Sequence, residues 1–264
     1  MVEGQGRFLA LGGRAGLSYT IEMQIANSTS GQRHRKAIAG LPAWFVLALL
    51  LSLAGSGCRT PLPNSLATHS SKGWEKEIAA FETSDRTNPP PKGCIVFVGS
   101  SSIRLWTSLA SDFPGLPVVN RGFGGSQLAD SVNFADRIIT PCHPREVVIY
   151  AGGNDINAGK EPDVVFGDFV ALVARIRAGS HGARICYISS APNPKRWEQV
   201  EKVKRLNKLV STYCGRHGLE FIDVFPLMLG PDGKPKPDIF AADRLHMNAK
   251  GYAIWKRAVL PYLK

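Results

Sequence analysis

From residue 73 onward the sequence predicts a three-layer α/β/α sandwich built on a five-stranded parallel sheet. Three observations carry this. Short apolar runs without alternation recur along the chain, as expected of strands buried on both faces. Longer amphipathic segments separate them, so each strand needs a helical crossover to reach the next in parallel. A composition of 44% hydrophobic and 20% charged residues over 264 positions is ample for one such domain with an appendage.

The elements follow in order. Trp74–Glu82 has helical spacing and is stopped by Pro89-Pro90-Pro91. Cys94–Val98 is the first strand, Ile103–Leu109 a short helix and Pro117–Val119 the second strand. Leu128–Ile139 is a helix, Glu146–Tyr150 the third strand, and Asp163–Ala178 a long helix. Arg184–Ser189 gives the fourth strand, Glu198–His217 another helix, Leu219–Val224 the fifth strand and Asn248–Leu263 the closing helix.

The N-terminal 72 residues read differently. Arg33, His34, Arg35 and Lys36 precede a stretch, Ala37 to Cys58, that contains no charged residue. A basic patch, an apolar core at Ala43–Leu53 and small residues ending in Ala54-Gly55-Ser56-Gly57-Cys58 have the layout of an export signal. This end resembles a bacterial lipoprotein signal, which implies lipid attachment at Cys58 and a membrane-tethered or exported protein. Gly55 departs from that pattern, because an aliphatic residue is usual three positions before the cysteine. Ordinary cleavage and an uncleaved anchor are the competing readings. Met23 would start a more conventional signal than Met1. Residues 1–58 are thus read as a leader, 59–72 as a flexible tether and 73–264 as the α/β domain.

Net charge is +11. Residues 1–58 contribute five basic and two acidic residues, which leaves +8 for the remainder. The basic residues from Lys195 to Lys208 share a segment with Val200, Val203, Leu206, Leu209 and Val210, so they read as the solvated side of an amphipathic helix. No nucleic-acid motif accompanies them, and nucleic acid is not an expected partner. Cys94 and Cys186 fall in apolar runs as small buried side chains, and the cysteines show no metal-binding spacing.

The chemistry concentrates in loops that follow strands, where open parallel sheets bind ligands. They are Gly99-Ser100-Ser101-Ser102, Asn120 through Gly125, Gly152-Gly153-Asn154-Asp155 and Asp243-Arg244-Leu245-His246. Acyl transfer needs a serine, a base to take its proton, a carboxylate to fix the base, and donors aimed at the developing oxyanion. Ser101, His246 and Asp243 supply the first three. The backbone N–H groups of Ser101 and Gly125 and the Asn154 amide supply the donors. Singly, each motif also reads as an ordinary turn or helix cap; their order, each after its own strand, raises them above that.

With these residues in place, the stretch from about Trp74 to Leu263 resembles the SGNH/GDSL hydrolase superfamily, in particular its bacterial GDSL-like lipase/acylhydrolase branch. The resemblance implies a flavodoxin-like sandwich, no cofactor and no metal, and ester hydrolysis through an acyl-enzyme. It places the nucleophile on Ser101, the oxyanion donors on Gly125 and Asn154, and the acid and base on Asp243 and His246. Ser100 stands where the family usually has aspartate, and the serine triplet makes Ser100 a second and Ser102 a third choice of nucleophile. Among other histidines, His34 and His69 fall in leader and tether, His143 precedes a strand, and His181 and His217 sit beside glycines in loops entering strands. Arg104, Arg121, Asn157 and Trp197 are candidates for lining the pocket, with surface or packing roles weighed equally.

No long insertion offers an apolar lid, so the expected substrate is a small acyl ester, with acetyl on a carbohydrate as the leading case. Two rivals come from other classes. A non-catalytic envelope binding module on the same fold would have no need of the four-residue set. A nucleotide-binding flavodoxin-like protein would need a phosphate-cradling loop after the first strand, and none is present.

Overall fold

The computed structural model describes residues 62–264. The leader expected over residues 1–58, including Cys58, lies outside them.

Parallel strands β1 (Ile95–Gly99), β2 (Val118–Gly122), β3 (Glu146–Tyr150), β4 (Arg184–Ile188) and β5 (Glu220–Ile222) form one sheet in the order β2-β1-β3-β4-β5. This is the doubly wound order in which the chain reverses direction across the sheet between β1 and β3. The expected fold class is the observed one. Alternate residues of β1 feed two separate cores. Val96 and Val98 face a layer made with α1 (Glu75–Thr87), α4 (Leu128–Ile138), α6 (Pro162–Gly179) and α7 (Val200–His217). Ile95 and Phe97 face the opposite layer, which holds Trp106, Val148 and the Trp255 of α8 (Ala249–Val259). Trp106 and Trp255 are both buried and meet edge to face, with ring centroids 5.9 Å apart. Removing either indole would cost about 3–5 kcal/mol through the cavity left behind.

Several boundaries differ from those read in the sequence, and each has a local cause. The helix expected over Ile103–Leu109 is two short turns, α2 (Ser101–Arg104) and α3 (Leu109–Asp112). The Trp106 indole dives into the core between them and donates to Asp112 Oδ2 at 2.8 Å. The second strand runs to Gly122 rather than Val119. A Cβ at Gly122 would lie 2.2 Å from the Arg104 nitrogen, so the strand can pass this close to α2 only as glycine. The long helix before β5 begins at Val200, because Pro194–Gln199 forms a 3-10 segment with Arg196 out of helical geometry. A short helix, α5 (Gly153–Asn157), forms within the Gly-Gly-Asn-Asp loop.

Residues 62–71 fall within the segment read as a flexible tether, and they pack on the domain. Ser65 donates through its backbone N–H and its hydroxyl to Asp168 of α6, both at 2.7 Å. His69 Nε2 lies 2.6 Å from Asp130 of α4. The Pro63 carbonyl sits where a side chain at Gly167 would be, 1.9 Å from that Cβ position. These contacts run to α4 and α6, and Lys160 Nζ, which donates to Ser65 Oγ at 2.7 Å, also reaches Asp155 beyond β3.

Candidate active site

The four polar loops converge at the carboxyl ends of the strands, around the reversal between β1 and β3. Ser101 opens α2 two residues beyond β1. Gly99 makes this turn possible: its φ is +147°, and a Cβ there would lie 1.9 Å from the Tyr150 carbonyl oxygen. Ser100 is consumed by the turn, buried, with its N–H donating to that same oxygen at 3.1 Å. Asn120 ties the turn to β2, its amide donating to the Ile103 carbonyl at 2.7 Å while its Oδ1 accepts from Gly122 N–H. Tyr252 on α8 donates to the Ser102 carbonyl at 2.9 Å. Of the three serines, Ser101 is the one held against a base.

That base is His246, whose Nε2 lies 2.9 Å from Ser101 Oγ. Its Nδ1 lies 2.6 Å from Asp243 Oδ2. A carboxylate can only accept, so Nδ1 carries the proton, and Nε2 is left to receive the serine's. Asp243 Oδ1 accepts the Leu245 and His246 backbone N–H groups, each at 3.0 Å. Those two bonds and the imidazole pull the carboxyl pKa down to about 2. Arg244, between them, takes a left-handed φ of +59°, which turns the loop so that acid and base face each other. Bonds from Ala241 N–H to the His246 carbonyl and from Lys195 N–H to the Arg244 carbonyl hold the loop at both ends.

Gly125 and Asn154 come to the other side of Ser101, where they border one basin with Ser101 and His246. Gly125 adopts φ +82°, and a Cβ there would lie 3.1 Å from the Trp74 ring. Among the described residues, neither the Ser101 nor the Gly125 N–H is taken by another group. The Asn154 Nδ2 donates to the Ser126 carbonyl at 3.0 Å, leaving its second hydrogen free. The next residue, Asp155, is buried and accepts from the Leu128 N–H, which joins α5 to the start of α4. Burial raises its pKa to about 6.

The chain between residues 95 and 254 matches the model of the GDSL-like Lipase/Acylhydrolase family. The protein belongs to this family. Its members are ester hydrolases, and the sequence resemblance is borne out at that level. Among curated proteins, none matches the chain. Among solved structures, a Streptococcus pneumonia protein named after platelet activating factor aligns at TM-score 0.66 and 19% identity, covering 84% of this chain and all of the other. A GDSL-like lipase from Bacteroides thetaiotaomicron aligns at TM-score 0.59 and 20% identity, over 74% of this chain and 97% of its own. A catalytic mutant of an acetylxylan esterase from Geobacillus stearothermophilus aligns at TM-score 0.54 and 16% identity, over 65% and 94%. At these identities the likeness is one of fold.

One residue of this GDSL-like site escaped the sequence reading. Arg196 belongs to the basic cluster read as a solvated helix face, and for Lys202, Lys204 and Arg205 that reading fits, since they pair with exposed acids. Arg196 instead turns inward. It precedes the helix, in the 3-10 segment where its φ is −124°, and Asn193 Oδ1 caps its N–H. Its Nη1 donates to Asn154 Oδ1 at 3.0 Å and to the Gly153 carbonyl at 3.3 Å. Burial lowers its pKa. The one available signal was Asn193-Pro194, a turn that interrupts the helical pattern before Arg196.

Of the other candidates, Arg104 borders the basin and Trp197 a smaller pocket beside Ala191. Arg121 is buried against Asp85 at 2.6 Å, and Asn157 is exposed. His143 lies at the amino end of β3, and His217 stacks on Tyr213.

Two spaces adjoin at Ser101 and share Ser101, Asn154, Arg196, Leu245 and His246 as lining. One is a cavity of about 40 Å³ whose apolar wall includes Tyr150, Met228, Phe240 and Trp255. The other is an open basin of about 470 Å³ bordered also by Glu77, Arg104 and Gly125.

Proposed function

We propose that this GDSL-family protein is a serine esterase that removes small acyl groups, acetyl foremost, from a carbohydrate through an acyl-enzyme. The observation that supports it best is the 2.9 Å contact between Ser101 Oγ and His246 Nε2, at the junction of a small cavity and a larger open basin.

In this reading His246 takes the Ser101 proton as Oγ attacks the ester carbonyl. The Ser101 and Gly125 N–H groups and the free Asn154 hydrogen stabilise the oxyanion, each donor being worth about 3–4 kcal/mol of barrier. The imidazolium, steadied by Asp243, then protonates the departing alcohol. A water molecule activated by the same imidazole releases the acid from Ser101.

The cavity argues for the acyl size. A water-sized atom needs roughly 10–15 Å³ of such space, so about 40 Å³ admits some three heavy atoms, the size of an acetyl group. The open basin is left for the alcohol half, and a sugar fits its polar border. The acetylxylan esterase of the same fold acts on such a substrate by its name, which favours this reading. Export, with lipid attachment at Cys58, is proposed from residues 33–58 of the sequence alone; mass spectrometry of the mature N-terminus tests it.

The decisive experiment is twofold. A fluorophosphonate probe should label the wild type and not Ser101→Ala, and p-nitrophenyl acetate should be cleaved faster than long-chain p-nitrophenyl esters. Absence of labelling would return the protein to the class of non-catalytic binding modules, and faster long-chain cleavage would remove the small-acyl assignment.

A further inference from the structure

Five arginines of the domain, Arg121, Arg137, Arg175, Arg184 and Arg205, each hold a carboxylate. Arg104 and Arg196, the two that border the open basin, hold none among the described residues. Arg104 stands three residues beyond Ser101 on the same helical turn, so its position relative to the nucleophile is fixed by the backbone. Its guanidinium lies over Gly124: a Cβ there would be 2.6 Å from Nε and 3.1 Å from Nη2. Gly124 therefore provides the seat on which the planar group rests, and any side chain at 124 would displace it. Arg196 uses Nη1 on Asn154 and Gly153, and its Nε and Nη2 have no partner among the described residues. Against these two cations the basin sets a single carboxylate, Glu77, and one apolar side chain, Leu245.

We infer that the alcohol half of the ester carries a carboxylate, as in an acylated uronic acid, and that Arg104 determines this preference. The inference rests on the esterase reading and narrows it. A guanidinium presents paired N–H donors in the fork geometry that a carboxylate accepts in bidentate fashion. A neutral sugar offers only hydroxyls, which replace water at these donors without gaining charge attraction. Arg196 borders both the cavity and the basin, whereas Arg104 borders the basin and not the cavity; Arg104 therefore addresses the half of the substrate that leaves and selects the alcohol without restricting the acyl group.

The test compares two substrates acetylated at the same hydroxyl, methyl glucuronoside and methyl glucoside. Wild type should favour the acidic one in kcat/KM by about tenfold or more at low salt, the scale expected of a charge-assisted contact. Salt at about 0.5 M should shrink that ratio by screening. Arg104→Gln should lose most of the ratio, and Arg104→Lys should fall between. A wild-type ratio near one, or a ratio unchanged in Arg104→Gln, overturns the inference. Wild type that takes the fluorophosphonate and cleaves p-nitrophenyl acetate, yet shows a ratio near one, loses only the anionic preference. Wild type that is unlabelled and inert to every ester loses the esterase reading, and this inference falls with it.

Discussion

Arg196 Nη1 donates to Asn154 Oδ1 at 3.0 Å, and this bond sets which end of the Asn154 amide is presented as a donor. The amide could otherwise flip and offer an oxygen to the oxyanion. With Arg196 on Oδ1 and the Ser126 carbonyl accepting from Nδ2, both ends are assigned.

Replacing Asn154 by alanine should lower kcat for p-nitrophenyl acetate by about 10²–10³-fold, the usual cost of one oxyanion donor. Arg196→Ala leaves the donor but frees the amide, so a smaller loss, about tenfold, is expected, in kcat rather than KM. Steady-state kinetics on both variants check this; an Arg196→Ala effect confined to KM would separate Arg196 from the amide.

Asp243 gives a pH window with a definite sign. Its carboxyl is held near 2, below the ordinary value near 4, so it binds protons less readily folded than unfolded. The stability it contributes is present above about pH 4 and is lost as pH falls toward 2. The difference in unfolding free energy between wild type and Asp243→Asn should therefore shrink across that interval. At neutral pH the same variant should lose roughly 10²–10⁴-fold in kcat, because the imidazole loses the partner that fixes its tautomer.

Asp155 behaves in the opposite sense. Burial raises its pKa to about 6, so the folded protein binds this proton more tightly than the unfolded chain does. Its contribution is most favourable below about pH 4 and declines as pH rises through about 6. Asp155→Asn keeps an acceptor for the Leu128 N–H while removing the charge. Relative to wild type it should gain stability between pH 4 and 7, by up to about 3 kcal/mol, as read by urea unfolding at a series of pH values.

At Gly99 the prediction concerns the turn itself. Alanine would place its Cβ inside the Tyr150 carbonyl, so Gly99→Ala should destabilise the fold by more than about 3 kcal/mol and move Ser101 away from His246. Thermal unfolding and fluorophosphonate labelling together report both effects.

The sheet was legible because Cys94–Val98, Val147–Tyr150 and Ile185–Ile188 are uninterrupted apolar runs, a pattern dictated by burial on both faces. The short turn at Ser101–Arg104 was not, because its break is caused by the tertiary burial of Trp106, which helical spacing does not record. That Ser101, Gly125, Asn154, Asp243 and His246 meet at one edge of the sheet could be read from motif order, since the polar loops follow the strands. Arg196 could not, because its neighbours make a convincing solvated helix, and only the 3-10 turn after Asn193 swings it inward. Ser65 and His69 were hidden for a related reason: a Pro- and Ser-rich stretch looks like a linker until its partners, Asp168 and Asp130, are placed beside it.

Asp243 and His246 sit three residues apart on one loop, whereas Ser101 comes from the other end of the domain, 145 residues away. The proton acceptor and its orienting carboxylate thus travel as a cassette, their alignment written into a single stretch of backbone. A rearrangement of residues 241–248 as a block would leave that pair intact and still silence the enzyme, by breaking the one join with the nucleophile. That single 2.9 Å join is where the two halves of the site depend on each other.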